Sequence, residues 1–188
     1  MVKFTSRALF VAAGLALVPD LSVAGATLRF IDFQSNCIDL SRGTASTDAP
    51  QAAAIGTYTC ASRTSATWTT TLTSGNNFNI TNVASPTFVL SVAAVGPVAP
   101  SSSAPALIDQ PALGRVGSAM SWKFVANPNF PNKFNIVSAL SPGGVEVALR
   151  SYPRRSNVAT LTDSLYSPLV LAALNANDPQ QAFTLQNV

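Results

Sequence analysis

The segment NNFNITNVASPTFVLSV, residues 76–92, has a second copy further along the chain, NKFNIVSALSPGGVEVA at residues 132–148. At an offset of 56 residues both copies contain N-x-F-N-I followed by Ser-Pro. An earlier segment, LRFIDFQSNCIDLS at residues 28–41, aligns with residues 78–91 at an offset of 50, and its aliphatic and aromatic positions coincide. Self-similarity at such a period is typical of a protein built from repeated structural units.

Each copy is followed by a short segment with a large aromatic residue, and these residues are Trp68 in ATWTT, Trp122 in MSWKF and Phe183 in QAFTL. Large aromatics at equivalent points of repeated units commonly fill a shared interior, so we expect all three in the core. The three units span roughly residues 26–74, 75–130 and 131–188.

Short alternating segments such as TLRFIDF, TWTTTLT, FNITNV and SWKFV dominate the chain, and clusters of Gly, Pro, Ser, Asn and Asp separate them. This pattern predicts many short strands joined by turns. The segment SPLVLAALNA, residues 167–176, fits either a strand or a helix. Residues 95–118 are rich in proline, and we expect them to form an irregular insertion in the second unit.

Three β units, none of which can bury its apolar face alone, favour a closed pseudo-threefold structure. We expect an all-β fold of twelve short strands, four from each unit. Every unit then contributes one third of a common core.

The first 24 residues have the architecture of a secretory signal peptide. MVKFTSR carries Lys3 and Arg7, the uncharged run ALFVAAGLALV follows, and small residues allow cleavage after Ala24 or Ala26. Because the apolar run is too short to span a bilayer, we expect cleavage and not a retained membrane anchor. A single secreted domain of residues 25–188 would result.

The charge of the mature chain argues against nucleic acid as a partner. Nine basic and seven acidic residues would remain, a net charge of +2. Arg154 and Arg155 form the one basic doublet, and no run of basic residues with interleaved aromatics forms a phosphate-binding stripe. We expect neither nucleic-acid binding nor membrane insertion.

Cys37 and Cys60 are the two cysteines of the chain. In an oxidising compartment they permit one intramolecular pairing, so we predict a Cys37–Cys60 disulfide, with two buried free thiols as the alternative. Asn79, in Asn-Ile-Thr, is the one N-x-S/T sequon and hence a candidate N-glycosylation site within a predicted strand.

Catalysis is not expected from this composition. The chain has no histidine and one glutamate, Glu146, and the disulfide would consume both cysteines. Ser-His-Asp and Cys-His arrangements are therefore impossible, as is a histidine-containing zinc site. No phosphate-binding loop of the G-x-x-x-x-G-K type occurs, and we expect neither a metal nor another cofactor.

The pattern C-I-D-L at residues 37–40, Tyr58-x-Cys60 and then Trp68 resembles the repeat of ricin-type lectins. The units of that family run Cys-Leu-Asp-Val, an aromatic two residues before a second Cys, and a final Gln-x-Trp. The resemblance covers essentially the whole mature chain, although the first unit carries most of the motif. It implies a β-trefoil of three pseudo-symmetric, four-stranded repeats, a disulfide between the two cysteines, and carbohydrate or glycoprotein glycans as partners.

The same resemblance assigns roles in the first unit. Asp39 would accept hydrogen bonds from sugar hydroxyls and Tyr58 would stack on the apolar face of the sugar. Ser65 stands where the family has an Asn, and Ala66 replaces the Gln of Gln-x-Trp. The resemblance thus implies a weak sugar site formed by Asp39, Tyr58 and Ser65.

In the other units the repeat alignment implies weaker sites or none. Val89 takes the position of Asp39 in the second unit, so no family-type site is expected there. In the third unit Glu146 takes that position, Gln180 and Gln181 stand at the Asn and Gln positions, and the stacking position falls near Ala172.

Structural roles remain open for these residues. Asp39 could be a solvated surface carboxylate, Tyr58 a half-buried residue beside the disulfide, and Gln181 a buried structural amide.

Two other functions also remain open. SYPRRSN, residues 151–157, could present Arg154 or Arg155 to a trypsin-like protease as an inhibitory loop, or could be a solvated turn. The chain could also be an interaction protein that has kept the fold and lost its sugar.

Overall fold

The computed structural model describes residues 23–39, 56–60, 62, 64–92, 104–109, 121–141, 144–153 and 167–188. The signal-peptide prediction for the residues before Val23 and the inhibitory-loop prediction for Arg154 and Arg155 lie outside these ranges.

Twelve β-strands make up the described structure, as the sequence predicts, and each unit supplies four. In the first unit they are β1 (Thr27–Ile31), β2 (Asn36–Asp39), β3 (Gly56–Thr59) and β4 (Trp68–Leu72). In the second they are β5 (Phe78–Asn82), β6 (Ser85–Val92), β7 (Ala104–Asp109) and β8 (Trp122–Ala126). In the third they are β9 (Phe134–Ser138), β10 (Val147–Ser151), β11 (Ser167–Ala173) and β12 (Thr184–Asn187).

No α-helix occurs among the described residues. Three short 3-10 turns, Thr64–Ala66, Ser74–Asn76 and Pro179–Gln181, accompany the strands. Within the same ranges no helix is long and apolar enough to cross a membrane.

The first and fourth strands of the three units form a ring. Antiparallel pairs join β1 to β4, β4 to β5, β5 to β8, β8 to β9 and β12 to β1. Phe134 of β9 and Phe183, the residue before β12, complete the ring with reciprocal N···O contacts of 2.8 and 2.9 Å. The apolar residues on the inner side are thereby enclosed.

The second and third strands of each unit form hairpins: β2 with β3, β6 with β7, and β10 with β11. Strand β11 also pairs with β3 and with β7, so the three hairpins meet. A six-strand ring covered by three hairpins is the β-trefoil architecture, which confirms the fold prediction.

The three closing aromatics lie in the core, as predicted. Trp68, Trp122 and Phe183 are each 0% exposed. Trp68 Nε1 donates to the carbonyl oxygen of Ile38 at 2.9 Å, and Trp122 Nε1 donates to that of Leu90 at the same distance. The closing indoles are therefore fixed to the second strand of their own units.

The turns after the first strands also show the repeat. Asp32 Oδ1 accepts from the backbone N–H of Gln34, Asn82 Oδ1 from Ala84, and Ser138 Oγ from Leu140, at 2.8, 2.9 and 3.1 Å. These three side chains bond to the backbone two residues ahead, which stabilises a turn. Their spacing reproduces the sequence offsets of 50 and 56 residues.

The expectation of an irregular insertion over residues 95–118 is wrong for its middle part, because β7 lies there. Strand β7 pairs with β6 from Ala106 to Asp109 and with β11 at Ala104 and Pro105. Pro105 precedes the part of β7 that is in register with β6, so its missing N–H is not needed in that ladder. The ambiguous segment after residue 166 forms a strand, β11, and not a helix.

Cys37 and Cys60 form the predicted disulfide, and neither thiol is free. The bond joins β2 to the residue that follows β3. The first hairpin is therefore fixed covalently as well as by its backbone ladder.

Replacing Trp68 by Phe should destabilise the protein by about 1–3 kcal/mol, because the buried carbonyl of Ile38 loses its donor. Urea unfolding followed by far-UV circular dichroism measures the change. Leu72→Ala, at a side chain that is 51% exposed, is the control and should stay within about 0.5 kcal/mol of the parent. Equal stabilities of Trp68→Phe and parent would contradict the structural role of the indole N–H.

The Cys37→Ala/Cys60→Ala variant should lose about 3 kcal/mol, because the denatured chain is no longer cross-linked. A reductant should lower the urea midpoint of the parent towards that of the variant and leave the variant unchanged. A parent midpoint that does not respond to reduction would show that the bond contributes no stability.

Candidate functional site

The first-unit residues assigned to sugar binding lie on one hairpin and the turn beside it. Asp39 ends β2 and lies opposite Gly56, while Tyr58 of β3 lies opposite Cys37. Ser65 belongs to the 3-10 turn Thr64–Ala66, which contacts β2. The structure therefore brings these three residues into one region.

Burial sets the first-unit residues apart from an open pocket. Asp39 is 1% exposed and Ser65 is 0% exposed, whereas Tyr58 is half-buried. The alternative of a solvated carboxylate at Asp39 is thus wrong, and the alternative of a half-buried Tyr58 is confirmed. A sugar approaching the first unit would meet Tyr58 and not the two enclosed polar groups.

Strand register corrects the equivalence of the repeats. Cys37 pairs with Ile31, and its counterparts are Val89, which pairs with Thr81, and Ala148, which pairs with Val137. The residue two positions further along each second strand is Asp39 in the first unit, Ser91 in the second and Arg150 in the third.

The alignment of Val89 and Glu146 with Asp39 is therefore wrong. The connection between the first two strands of a unit lengthens along the chain, since the paired residues are 31 and 37, then 81 and 89, then 137 and 148. A constant offset cannot follow such a change. Glu146 is exposed and precedes β10, where its backbone oxygen accepts from the N–H of Leu174 at 2.9 Å.

The stacking position is better predicted than the carboxylate position. Tyr58 faces Cys37, Asp109 faces Val89, and Ala172 faces Ala148. Ala172 is indeed the third-unit counterpart of Tyr58. The second unit carries Asp109 there, which the sequence alignment did not identify.

A pocket of about 390 Å³ opens in the third unit at this position. Its walls come from β10 and β11 and from the turn towards β12: Arg150, Tyr152, the segment 170–174, Asn175, Asp178 and Gln181. Because it contains both Arg150 and Ala172, it is the third-unit counterpart of the region predicted in the first unit.

Arg150 is held between a carboxylate and an aromatic ring. Its Nε lies 2.9 Å from Oδ2 of Asp178, an ion pair without a straight N–H···O alignment. Its guanidinium carbon lies 5.1 Å from the ring centroid of Tyr152, within cation–π range. The side chain of Arg150 is 31% exposed and that of Asp178 is 15% exposed, so the cation is the more accessible partner.

Gln181 has the structural role that the sequence left open. It is 1% exposed, its Oε1 accepts from the N–H of Asn175 at 2.9 Å, and its Nε2 donates to the carbonyl of Ala173 at 2.8 Å. Gln180 is half-buried and donates its backbone N–H to Oδ1 of Asp178 at 3.0 Å. Both glutamines therefore shape the turn beside the pocket.

The sequence gave no direct sign of Arg150, Tyr152 or Asp178 as site residues. Arg150 becomes recognisable only when the length of the β9–β10 connection is known, and Asp178 lies on the far side of β11. Tyr152 follows β10 immediately, so an aromatic next to the repeat position was the one available signal.

Asn79 lies in β5 opposite Thr71, and its Oδ1 accepts from the hydroxyl of Ser121 at 3.2 Å. Glycosylation at Asn79 stays a prediction. Among the described residues no group of three or more His, Cys, Asp or Glu side chains is arranged to hold a metal ion.

Neither a protein-family model nor a curated protein matches the sequence. Solved structures do match. A designed threefold-symmetric protein, ThreeFoil, superposes with a TM-score of 0.64 at 14% identity, over 86% of this chain and 99% of that one.

Two natural-type structures give the same result. The ricin B-like lectin of Macrolepiota procera, solved with lactose, has a TM-score of 0.59 at 18% identity, over 88% of this chain and 97% of that one. The BEL β-trefoil has a TM-score of 0.57 at 16% identity, over 88% and 94%. The chain thus shares its fold with ricin B-like lectins and other β-trefoil proteins.

Proposed function

We propose that this protein is a secreted carbohydrate-binding module and that the pocket of the third unit is its binding site. The observation that carries the proposal is the pocket itself. Its volume of about 390 Å³ lies within the range of small-molecule sites, and it occupies the repeat position at which the resemblance places a sugar.

The lining of the pocket suits a sugar ring. Leu171 and Ala172 of β11 are half-buried and offer an apolar wall to ring C–H groups. Arg150 offers hydrogen-bond donors beside that wall, and Asn175 at the rim is exposed. A few polar groups next to an apolar surface give a ligand both orientation and selectivity.

Accessibility favours the third unit over the first. In the first unit Asp39 and Ser65 are enclosed, so a ligand would have to displace structure to reach them. In the third unit Arg150 already reaches solvent. The lactose complex of the Macrolepiota procera lectin supports a sugar as ligand, because that protein has the same fold.

Secretion and the absence of catalysis are parts of the same proposal. The Cys37–Cys60 disulfide supports folding in an oxidising compartment. The composition supports a binding role and not an enzymatic one, since the chain lacks histidine.

Secretion from an expressing cell should yield a mature protein that begins at Gly25. Gly25 N–H donates to the carbonyl of Thr70 at 2.8 Å, and Thr70 N–H donates to that of Ala26 at 3.1 Å. Cleavage after Ala24 keeps both contacts, whereas cleavage after Ala26 removes them. Intact mass and N-terminal sequencing decide between these sites, and secreted protein that retains Lys3 would contradict signal cleavage.

The mature protein should bind at least one class of glycan on an array, and Ala172→Phe should weaken that binding at least tenfold because the ring fills the pocket. Tyr58→Ala and Asp39→Ala are matched first-unit variants that should bind like the parent. Titration calorimetry on the array hit measures all three affinities, and circular dichroism confirms that each variant is folded.

The opposite pattern, in which the first-unit variants lose binding and Ala172→Phe does not, would move the site to Asp39 and Tyr58. A folded parent that binds no glycan would contradict the proposed function.

A further inference from the structure

We propose that the third-unit pocket selects saccharides that carry a carboxylate, with the guanidinium of Arg150 as the partner of that carboxylate. The inference rests on the carbohydrate binding proposed above and adds the chemical class of the ligand.

The acceptor groups at the pocket are already engaged within the protein. Asp178 is ion-paired with Arg150 through Oδ2 and accepts from the N–H of Gln180 through Oδ1. Gln181 Oε1 accepts from the N–H of Asn175. These contacts leave little acceptor capacity for the hydroxyl hydrogens of a neutral sugar.

Donors, by contrast, remain available. A guanidinium carries five N–H groups, and only Nε of Arg150 faces Asp178. In the described part of the chain the terminal nitrogens of Arg150 have no hydrogen bond or ion pair. Their paired, coplanar N–H groups match a carboxylate, which can accept two parallel hydrogen bonds.

Asp178 does not cancel this preference. It is the more buried member of the ion pair, 15% exposed against 31% for Arg150, so the positive group is nearer to the opening of the pocket. The carboxylate behind and the Tyr152 ring at 5.1 Å also hold the guanidinium in place. Less conformational entropy is then lost when a ligand binds.

The repeat itself shows the change of ligand chemistry. At one register position the first unit has Asp39, which can only accept hydrogen bonds when ionised, and the third unit has Arg150, which can only donate. A site built on a donor suits a ligand group that is purely an acceptor. The apolar wall formed by Leu171 and Ala172 adds a requirement for a sugar ring and thereby disfavours a small inorganic anion.

Methyl β-glucuronide and methyl β-glucoside test the inference, because they differ at one carbon, a carboxylate against a hydroxymethyl group. Titration calorimetry of the mature protein should give an affinity at least tenfold higher for the glucuronide. Added salt should reduce that difference, because one charge pair is responsible for it. This comparison uses the parent protein and does not depend on the folding of a variant.

Arg150→Gln should reduce glucuronide affinity to the level of the glucoside, and Arg150→Lys should keep part of the difference, since it retains the charge without the paired donors. Lys123→Gln in β8 is the matched control, because it removes one positive charge from another part of the ring and should leave the difference unchanged. The unfolding midpoint of each variant checks that it is folded.

Equal affinities of the parent for the two glycosides, or no glucuronide binding up to its solubility limit, would overturn the inference. If a neutral glycan still binds on the array, the proposed carbohydrate function survives that result. Methyl glucoside 6-sulfate binding as tightly as the glucuronide would replace carboxylate selection by general anion binding and so also overturn the inference.

Discussion

The shared core is the constraint on which the rest of the structure depends. Each unit brings too few apolar side chains to enclose them alone, and the ring of six strands buries them together. Trp68 and Trp122 show how the enclosure is made specific, because each indole fills the centre and donates to a backbone carbonyl of its own second strand. The hairpins are thereby held over the ring at a fixed height, and the position of every side chain on a hairpin follows from that.

A buried polar cluster transmits this constraint to the third-unit pocket. Asp32 Oδ2 accepts from the hydroxyls of Thr57 and Ser151 at 2.8 and 2.7 Å, which joins the turn after β1 to β3 and to β10. All three side chains are almost completely buried, so leaving any of their polar atoms unbonded would be costly. Ser151 is the neighbour of Arg150, and successive side chains of a strand point to opposite faces. Anchoring Ser151 towards the first unit therefore directs Arg150 to the other face, where the pocket lies.

Much of the fold could be predicted from the sequence because it depends on local pattern and on repetition. The matching segments at residues 76–92 and 132–148, the closing aromatics and the two cysteines together predicted the strand number, the core and the disulfide. Strand β7 was missed because its pairing with β6 and β11 outweighs a proline-rich composition that local rules exclude from sheets. The candidate site was missed because unequal connections shift the repeat register and place Arg150, not Glu146, beside Ala172 and Asp178.

The same geometry explains how the units can diverge in chemistry and still share a fold. Ile38, Leu90 and Leu149 occupy one position of the three second strands, and each is 0% exposed in the common core. The next residues, Asp39, Ser91 and Arg150, lie on the opposite face of the strand and do not contribute to that core. An acid, a hydroxyl and a base are therefore compatible with one core, and the requirement at this position is set by what each hairpin contacts outside it. In the third unit that environment is an open pocket in which Asp178 and Tyr152 hold the base, so a change of ligand charge needs no change in the packing beneath.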